Sequence, residues 1–490
     1  MCKAARTRAA TPAPANCSNG KLIAGLGAGV VMLAVLLNLG CAGISSAAKS
    51  SSGNPPSPTN PYPSPGPGAS GQFFGMATNV IADSWPGTMV PVTSWRSLGG
   101  SVKWADINTA PGTYNFKRLD QWLKMAQASH TDVMFTVYAT PTWASSRGAN
   151  SVSPNTSCVD QGQNGPGICD PPVDLACDGT GTDVYFQTFV QAVIGHVGAG
   201  KIKYWELWNE PNIPSEWNGD ADCPGVLNGG DRMLARMAKD MRAIVSAADA
   251  NARFTTPAPV GNPAHWIANY LPIGGAYADI VAFHGYTYTG SCPSDCPVAE
   301  RIGELVDNLT AAIAGLPTSP VDFQTYPLFD TEGSWGASGG QDNITDPDQQ
   351  AAFVARYYLL QMSRPVAKLY WYGWDFDNSS GALYDSSTKS LTAAGIAYQQ
   401  IVGWTSAGKA VVGPCAQTST QWTCTITSPL GAEAEAIWDT SQTCGSGACS
   451  TAKVSVASKF TAYVDLAGNA TPIASQGVPV GLKPILLFAQ

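Results

Sequence analysis

Histidine is the scarcest reactive side chain in this 490-residue sequence. Four occur, His130, His196, His265 and His284, and none are spaced to present ligands from one helix or one strand. Cys-x-x-Cys pairs are absent, no histidine stands near the Cys158 to Cys177 group, and no cofactor motif appears. A metallohydrolase is therefore disfavoured, and neither a metal nor a cofactor is expected. Charge is sparse as well, at 13% of residues, and the 27 Lys and Arg are outnumbered by 35 Asp and Glu for a net charge of −8. An acidic chain of this kind makes a poor partner for nucleic acid or an anionic membrane and suits a neutral ligand.

A basic segment carrying Lys3, Arg6, Arg8 and Lys21 precedes an uncharged apolar run, Leu22 to Leu39. Residues 1–40 are thus expected to act as a signal peptide or signal anchor, placing the rest outside the cytoplasm as a secreted or cell-surface protein. Their loss would lower the formal charge by four further units. Asn38-Leu39-Gly40-Cys41 resembles a lipoprotein box, although Asn38 stands where an aliphatic residue is usual. Lipid on Cys41, cleavage after Ala48 and an uncleaved anchor all remain open, and the N-terminal signal or anchor and a lipid on Cys41 are the only routes to a membrane. Setting aside Cys2, Cys17 and Cys41, ten of the 13 cysteines remain, an even number that fits disulfides in an oxidising space. Cys292/Cys296, Cys415/Cys424 and Cys444/Cys449 are near enough in sequence for local bridges, and Cys158, Cys169, Cys177 and Cys223 are placed to tie two loops together.

Residues 41–71 are dominated by Ser, Pro, Gly and Asn and cannot bury a core, so they read as a tether. From residue 72 to 405, β-forming runs alternate with amphipathic ones. Strands are expected at Phe73–Ala77, Ser101–Ala105, Val133–Tyr138, Ile202–Trp208, Arg253–Pro257, Ile280–His284, Leu328–Thr331 and Leu369–Trp374. Helices are expected at Arg118–Ser129, Asp183–His196, Arg232–Ala247, Val298–Ala314, Asp348–Met362 and Thr392–Ile401, with shorter ones near Val92 and His265. This α/β alternation predicts a (β/α)8 barrel. Residues 406–490 turn to short β runs with tight turns and predict a small all-β module whose role is packing, since only Trp422 and Trp438 offer an aromatic platform.

The densest chemistry lies in Trp205-Glu206-Leu207-Trp208-Asn209-Glu210-Pro211-Asn212. A β-forming run here ends in turn residues, which puts Glu210 just past the C-terminal end of a strand, where barrels carry their reactive groups. Trp208 and Asn209 beside it suit the face and hydroxyls of a sugar ring. Glu206, four residues back, lies on the same side of the strand but deeper, as a buried, paired acid. Glu332 follows Pro327-Leu328-Phe329-Asp330-Thr331 and precedes Gly333-Ser334-Trp335, so it occupies the same rim from the seventh strand. Two carboxylates in unlike settings are what cleavage of a glycosidic bond requires.

Trp-Asn-Glu-Pro on the fourth strand and Thr-Glu-Gly on the seventh resemble the clan A glycoside hydrolases. Matching segments are Trp104 with Pro111-Gly112-Thr113-Tyr114-Asn115-Phe116, Ala139-Thr140-Pro141-Thr142-Trp143-Ala144, Asp279 to Tyr286, and Leu391-Thr392-Ala393-Ala394-Gly395 with Trp404. The chain is most similar to the family 39 branch of β-xylosidases and α-iduronidases, whose barrel also carries a β-module. The resemblance implies a carbohydrate substrate and a retaining double displacement, with Glu210 as general acid/base and Glu332 as nucleophile. It also implies that Asn209 binds the substituent next to the anomeric carbon, that Tyr286 orients Glu332, and that His284, Trp143, Trp371 and Trp374 contact sugar. Lys103 falls in the stretch Ser101-Val102-Lys103-Trp104, where many clan members carry an arginine, and is a candidate to replace it. A cell-surface transglycosylase would use the same residues, and a carbohydrate-binding envelope protein that had lost catalysis would share the fold.

Overall fold

The structure is a computed structural model that describes residues 72–78, 85–98, 100–148, 166–287, 298–336, 344–375, 381–445, 447–474 and 477–489. The basic and apolar N-terminal segment, the tether, Cys41, Cys158, Cys292 and Cys296 lie outside these residues. Among the described residues no helix is long and apolar enough to cross a membrane.

Eight short, almost wholly buried runs form parallel strands: β1 (Phe74–Ala77), β2 (Ser94–Arg96), β3 (Asp132–Val137), β4 (Tyr204–Leu207), β5 (Arg253–Thr255), β6 (Val281–His284), β7 (Leu328–Gly333) and β8 (Val366–Tyr372). They are hydrogen-bonded in the order β5-β4-β3-β2-β1-β8-β7-β6. The ring closes where Thr255 bridges Ile280 and where Thr256 N–H donates to Ile280 O at 2.9 Å. Helices Lys117–Ala128, Val184–Val197, Gly229–Ala248, Pro263–Gly274, Arg301–Ala314, Pro347–Met362 and Ala393–Trp404 surround it, completing a (β/α)8 barrel. The connection from β1 to β2 carries a 3-10 turn, Pro86–Thr88, among its described residues.

The second strand corrects the sequence expectation. It is Ser94–Arg96, and the expected strand Ser101–Ala105 instead enters a helical turn, Trp104–Ile107. The alternation of Val102 and Trp104 reads as a strand, but both side chains are buried beneath a turn whose first amides bond outward, Trp104 N–H to Tyr138 O and Ala105 N–H to Ala139 O. The short helix expected near Val92 is accordingly the approach to β2. The helix near His265 is longer than expected, spanning Pro263–Gly274.

After Trp404 the chain forms a six-stranded antiparallel sheet in the order Val411–Thr418, Gln421–Thr427, Glu433–Asp439, Ile485–Phe488, Ala462–Val464, Ala470–Pro472. Helix Pro347–Met362 is buried continuously from Gln350 to Gln361 because the barrel covers one side and this sheet the other. Polar ties fix the contact. Gln349 Nε2 donates to Cys444 O at 2.6 Å, and Glu300 Oε1 accepts from Trp438 Nε1 at 2.9 Å and from Arg356 at 2.7 Å. Trp438 is fully buried and Trp422 stacks on it, so neither is an open platform. Disulfides join Cys177 to Cys223, Cys415 to Cys424 and Cys444 to Cys449, and Cys169 is disulfide-bonded as well.

Candidate active site

The mouth of the barrel is built from strand ends that leave regular geometry as soon as they reach it. Beyond β4 the backbone turns left-handed at Trp208 (φ 61°) and again at Glu210 (φ 43°), conformations that non-glycine residues seldom hold without support. The support is visible: Trp208 N–H donates to Val137 O at 2.8 Å and Glu210 N–H to Ala258 O at 3.0 Å. The indole of Trp208 is fully buried, donates to Glu216 O at 2.9 Å and meets Trp217 edge-on. It props the turn from behind and offers no open wall, which corrects the expectation for this residue.

Glu332 sits within β7, opposite His284 of β6. Asp330, two residues earlier and fully buried, clamps this edge of the mouth. Its Oδ1 accepts from Gly285 N–H at 2.9 Å, and its Oδ2 accepts from Tyr357 at 2.8 Å and Gln361 at 2.5 Å. Burial raises the pKa of Asp330 to about 7 against those hydrogen bonds. Gly333 is required next to Glu332, because a Cβ there would collide with the Tyr357 hydroxyl.

The Glu210 carboxyl and the Glu332 carboxyl face each other with His284 between them. One oxygen from each acid and one ring nitrogen of His284 all lie within 4.8 Å of one another. His284 Nδ1 is 2.7 Å from Glu210 Oε1, and its Nε2 is 3.4 Å from Arg96 and 3.9 Å from Glu332 Oε2. Tyr286 donates to Glu332 Oε1 at 2.7 Å. On the other oxygen, Arg96 NH1 lies 2.6 Å from Glu332 Oε2, while Nε reaches Glu206 Oε2 at 2.7 Å and NH2 reaches Asn209 Oδ1 at 3.1 Å. Thr136 also donates to Glu206 Oε2 at 2.7 Å. Glu206 is thus a fully buried, paired acid below the mouth.

The two acids are in unlike electrostatic settings. Burial lifts Glu210 to about 7 and the field of Arg96 offsets only part of that rise. Glu332 is in direct ionic contact with Arg96. Burial lowers His284 to about 4, so it is neutral near pH 7. Burial opposes the charge of Arg96, but Glu206 and Glu332 more than restore it and its pKa is raised. Glu210, His284 and Glu332 together offer a set of possible metal ligands. Arg96, however, holds a fixed positive charge against Glu332 and beside His284 Nε2, which suits the trio to proton chemistry rather than to a cation.

The remaining sequence candidates separate by strand parity. On β8, Tyr370 and Tyr372 face inward: Tyr370 meets Ser94 Oγ at 2.7 Å, and Tyr372 feels Glu332, Arg96 and Glu210. Trp371 points the other way and packs, fully buried, on Tyr357 and Tyr358 of the outer helix. Trp374 is also fully buried and stacks on Tyr384. Neither tryptophan floors the mouth. Trp143 is half-buried at the β3 exit, bonded to Asn108 O at 3.0 Å and set edge-on to Tyr185. Lys103 is nearly buried, with its ammonium 5.7 Å from the Tyr138 ring centroid. The arginine expected of the second strand is present after all, as Arg96. Its signal was a lone cation inside the apolar run Val90-Pro91-Val92-Thr93-Ser94-Trp95-Arg96, which demands buried acids nearby.

No protein-family model matches the chain, and no curated protein matches it. Solved structures do resemble it. A family 39 glycoside hydrolase from the gut symbiont Bacteroides cellulosilyticus WH2 aligns with a TM-score of 0.54 at 14% identity, over 81% of this chain and 76% of that one. A glucosidase from Croceicoccus marinus aligns with a TM-score of 0.50, also at 14% identity, over 86% of this chain and 96% of that one. At this identity the likeness is one of fold: this chain shares the (β/α)8 barrel of glycoside hydrolases.

Proposed function

We propose that the chain is an exported glycoside hydrolase that cleaves O-glycosidic bonds of a polysaccharide or oligosaccharide with retention of configuration. The observation that carries this reading is the Glu210–Glu332 pair, with oxygens within 4.8 Å and opposite electrostatic settings. Retaining enzymes hold their carboxyl groups about 5 to 5.5 Å apart, whereas inverting ones leave roughly 6.5 to 9.5 Å for a water. The fold shared with a family 39 glycoside hydrolase and a glucosidase supports the reaction class. Disulfides in the barrel loops and the β-module support an oxidising, extracytoplasmic compartment.

Glu210 is the general acid. Near pH 7 a large share of it is protonated, and the location of that proton follows from Arg96. Guanidinium nitrogens only donate, so Arg96 NH2 beside His284 Nε2 makes Nε2 the bare nitrogen and places the imidazole hydrogen on Nδ1. Nδ1–H then donates to Glu210 Oε1, leaving the acid proton for Oε2 and the glycosidic oxygen. As the C–O bond breaks, Glu332 bonds to the anomeric carbon and the leaving group departs with the Glu210 proton. The Glu210 carboxylate, still held by His284, next takes a proton from water, and that water displaces Glu332. Arg96 and Tyr286 keep Glu332 oriented, and Asn209, steadied by Arg96, receives the hydroxyl beside the reacting carbon.

The test is to incubate the purified protein with a panel of aryl glycosides and polysaccharides and identify the sugar released. Turnover abolished by Glu332→Ala supports the reading. No turnover on any member of a broad panel, with glycan binding intact, would favour a binding protein.

A further inference from the structure

A cavity of about 290 Å³ lies between residues 261–264, the end of β6 at Tyr286 and Thr287, and the first turns of helix Arg301–Ala314. Two of its walls are tied to the two acids. Val260, which leads into residues 261–264, is pinned to the turn after Glu210: Asn212 Nδ2 donates to Val260 O at 2.8 Å, and Val260 N–H donates to Asn212 Oδ1 at 2.9 Å. In the other wall, Tyr286 donates to Glu332 Oε1 at 2.7 Å. A molecule held in the cavity is therefore one side chain away from the nucleophile. Gly261 makes the left-handed turn (φ 77°) from Val260 towards the next helix, and a Cβ there would meet nothing within 4 Å, so this rim is open.

The lining mixes the two kinds of surface that a sugar presents. Asn262, Thr287 and Asn308 supply neutral hydrogen-bonding groups, and the charges, Arg301 and Glu304, are of opposite sign. Pro263 and Leu305 add apolar surface that suits the C–H face of a ring. Thr287 is almost wholly buried, and its Oγ1 has no hydrogen-bond partner. Rotation about its first side-chain torsion would turn that hydroxyl to a ligand without breaking any bond it now makes. Ligand pockets run from about 300 to 1,000 Å³, so this cavity is of the size for one ring and not for a chain.

We propose that the cavity is an accessory subsite for one neutral sugar unit of the substrate, attached to the unit held between Glu210 and Glu332. The proposal rests on the glycosidase reading above and adds substrate length to it: the preferred substrate is an oligosaccharide or a branched glycan rather than a simple glycoside. The balanced charges of Arg301 and Glu304 favour a neutral unit over a uronate or a sulfated one. Binding at a unit that does not itself react is used to hold the reacting unit in place, so the subsite acts on substrate affinity and on kcat/KM together.

The experiment compares, on the full-length protein, methyl and aryl monoglycosides of the sugar that the panel identifies with neutral linear and branched oligosaccharides ending in the same sugar. For the best oligosaccharide, KM should be at least about tenfold lower than for the methyl glycoside. Asn308→Ala removes a polar group from the lining and Ala264→Trp fills the cavity. Each should raise the oligosaccharide KM by about threefold to tenfold and leave kcat/KM for the aryl monoglycoside unchanged, whereas general damage to the fold would lower both. Either variant decides if the other fails to fold. The subsite is overturned if wild-type KM does not improve with a second sugar unit, or if the folded variants keep the wild-type oligosaccharide KM. Those results leave aryl monoglycoside turnover in place and so leave the glycosidase reading standing, while absence of turnover on every substrate would end both.

Discussion

Arg96 holds Glu332 with one nitrogen and Glu206 with another: NH1 lies 2.6 Å from Glu332 Oε2 and Nε lies 2.7 Å from Glu206 Oε2, almost wholly away from water. A planar fork is needed to reach two acids, an amide and an imidazole at once, and a lysine has only one point of charge. Arg96→Lys should fold but lose at least about tenfold in kcat, because Glu332 or Asn209 is released. Arg96→Ala leaves two buried carboxylates without a counter-charge and should cost about 3 to 5 kcal/mol of stability, read by denaturant unfolding. A lysine variant with full kcat would show that the fork has no positioning role.

The pH dependence follows from Glu210. Its pKa is raised by burial to about 7, so the protonated form needed to assist departure of the leaving group is lost above that value. With a poor leaving group, kcat/KM should fall about tenfold per pH unit on the alkaline side, and Glu210→Gln should remove that limb. The stability sign is opposite to that of a salt-bridged acid. The folded state holds this proton more tightly than the unfolded chain, so Glu210 contributes stability at low pH that is lost as pH rises through about 7. Glu210→Gln should therefore raise Tm more at pH 8 than at pH 5.

Sequence legibility differed between the two acids and the groups that serve them. Glu210 and Glu332 each end a β-forming run and meet turn residues, so their position at strand ends could be read locally. Arg96 could not, since β2 has three residues and its cation makes sense only beside acids 110 and 236 positions away. Val102-Lys103-Trp104 offered a better local strand pattern and drew the expectation away from it. Tyr372 was missed for a different reason. Apolar runs buried on both faces carry no alternation that says which residues point into a barrel, and the large tryptophans at 371 and 374 pack outward or out of solvent. The fold was legible because the alternation of strands and helices repeats over the whole barrel, where one displaced strand changes little.

Asp330 offers a test of the support behind the nucleophile. It gathers Gly285 N–H, Tyr357, Gln361 and, at 3.3 Å, Glu332 N–H, so removing it strands several buried donors. Asp330→Ala should lose on the order of 2 to 5 kcal/mol and lower kcat more than it changes KM. The alkaline limb set by Glu210 should stay in place, because Asp330 contacts the backbone beneath Glu332 and not the acid. A shift of that limb in Asp330→Ala would assign the titration to Asp330, whose pKa is also raised to about 7.

The proposed roles of the two acids differ in a way that an added nucleophile exposes. With an activated aryl leaving group, departure needs little protonation, so Glu210→Ala should still form the glycosyl intermediate while Glu332→Ala should lose about 10⁴-fold or more of its rate. Azide should then rescue the two variants to opposite stereochemical results. In Glu332→Ala it attacks from the vacated face and gives a glycosyl azide of inverted configuration. In Glu210→Ala it displaces Glu332 from the intermediate and gives a retained one. Proton NMR of the first product of the wild-type enzyme should show the substrate's own anomer. One oxygen of each acid lies within 4.8 Å of one of the other, which supports this expectation of direct attack by Glu332. An inverted first product would end the double-displacement reading even if both acids proved essential, and an inverted azide product from Glu210→Ala would exchange their roles.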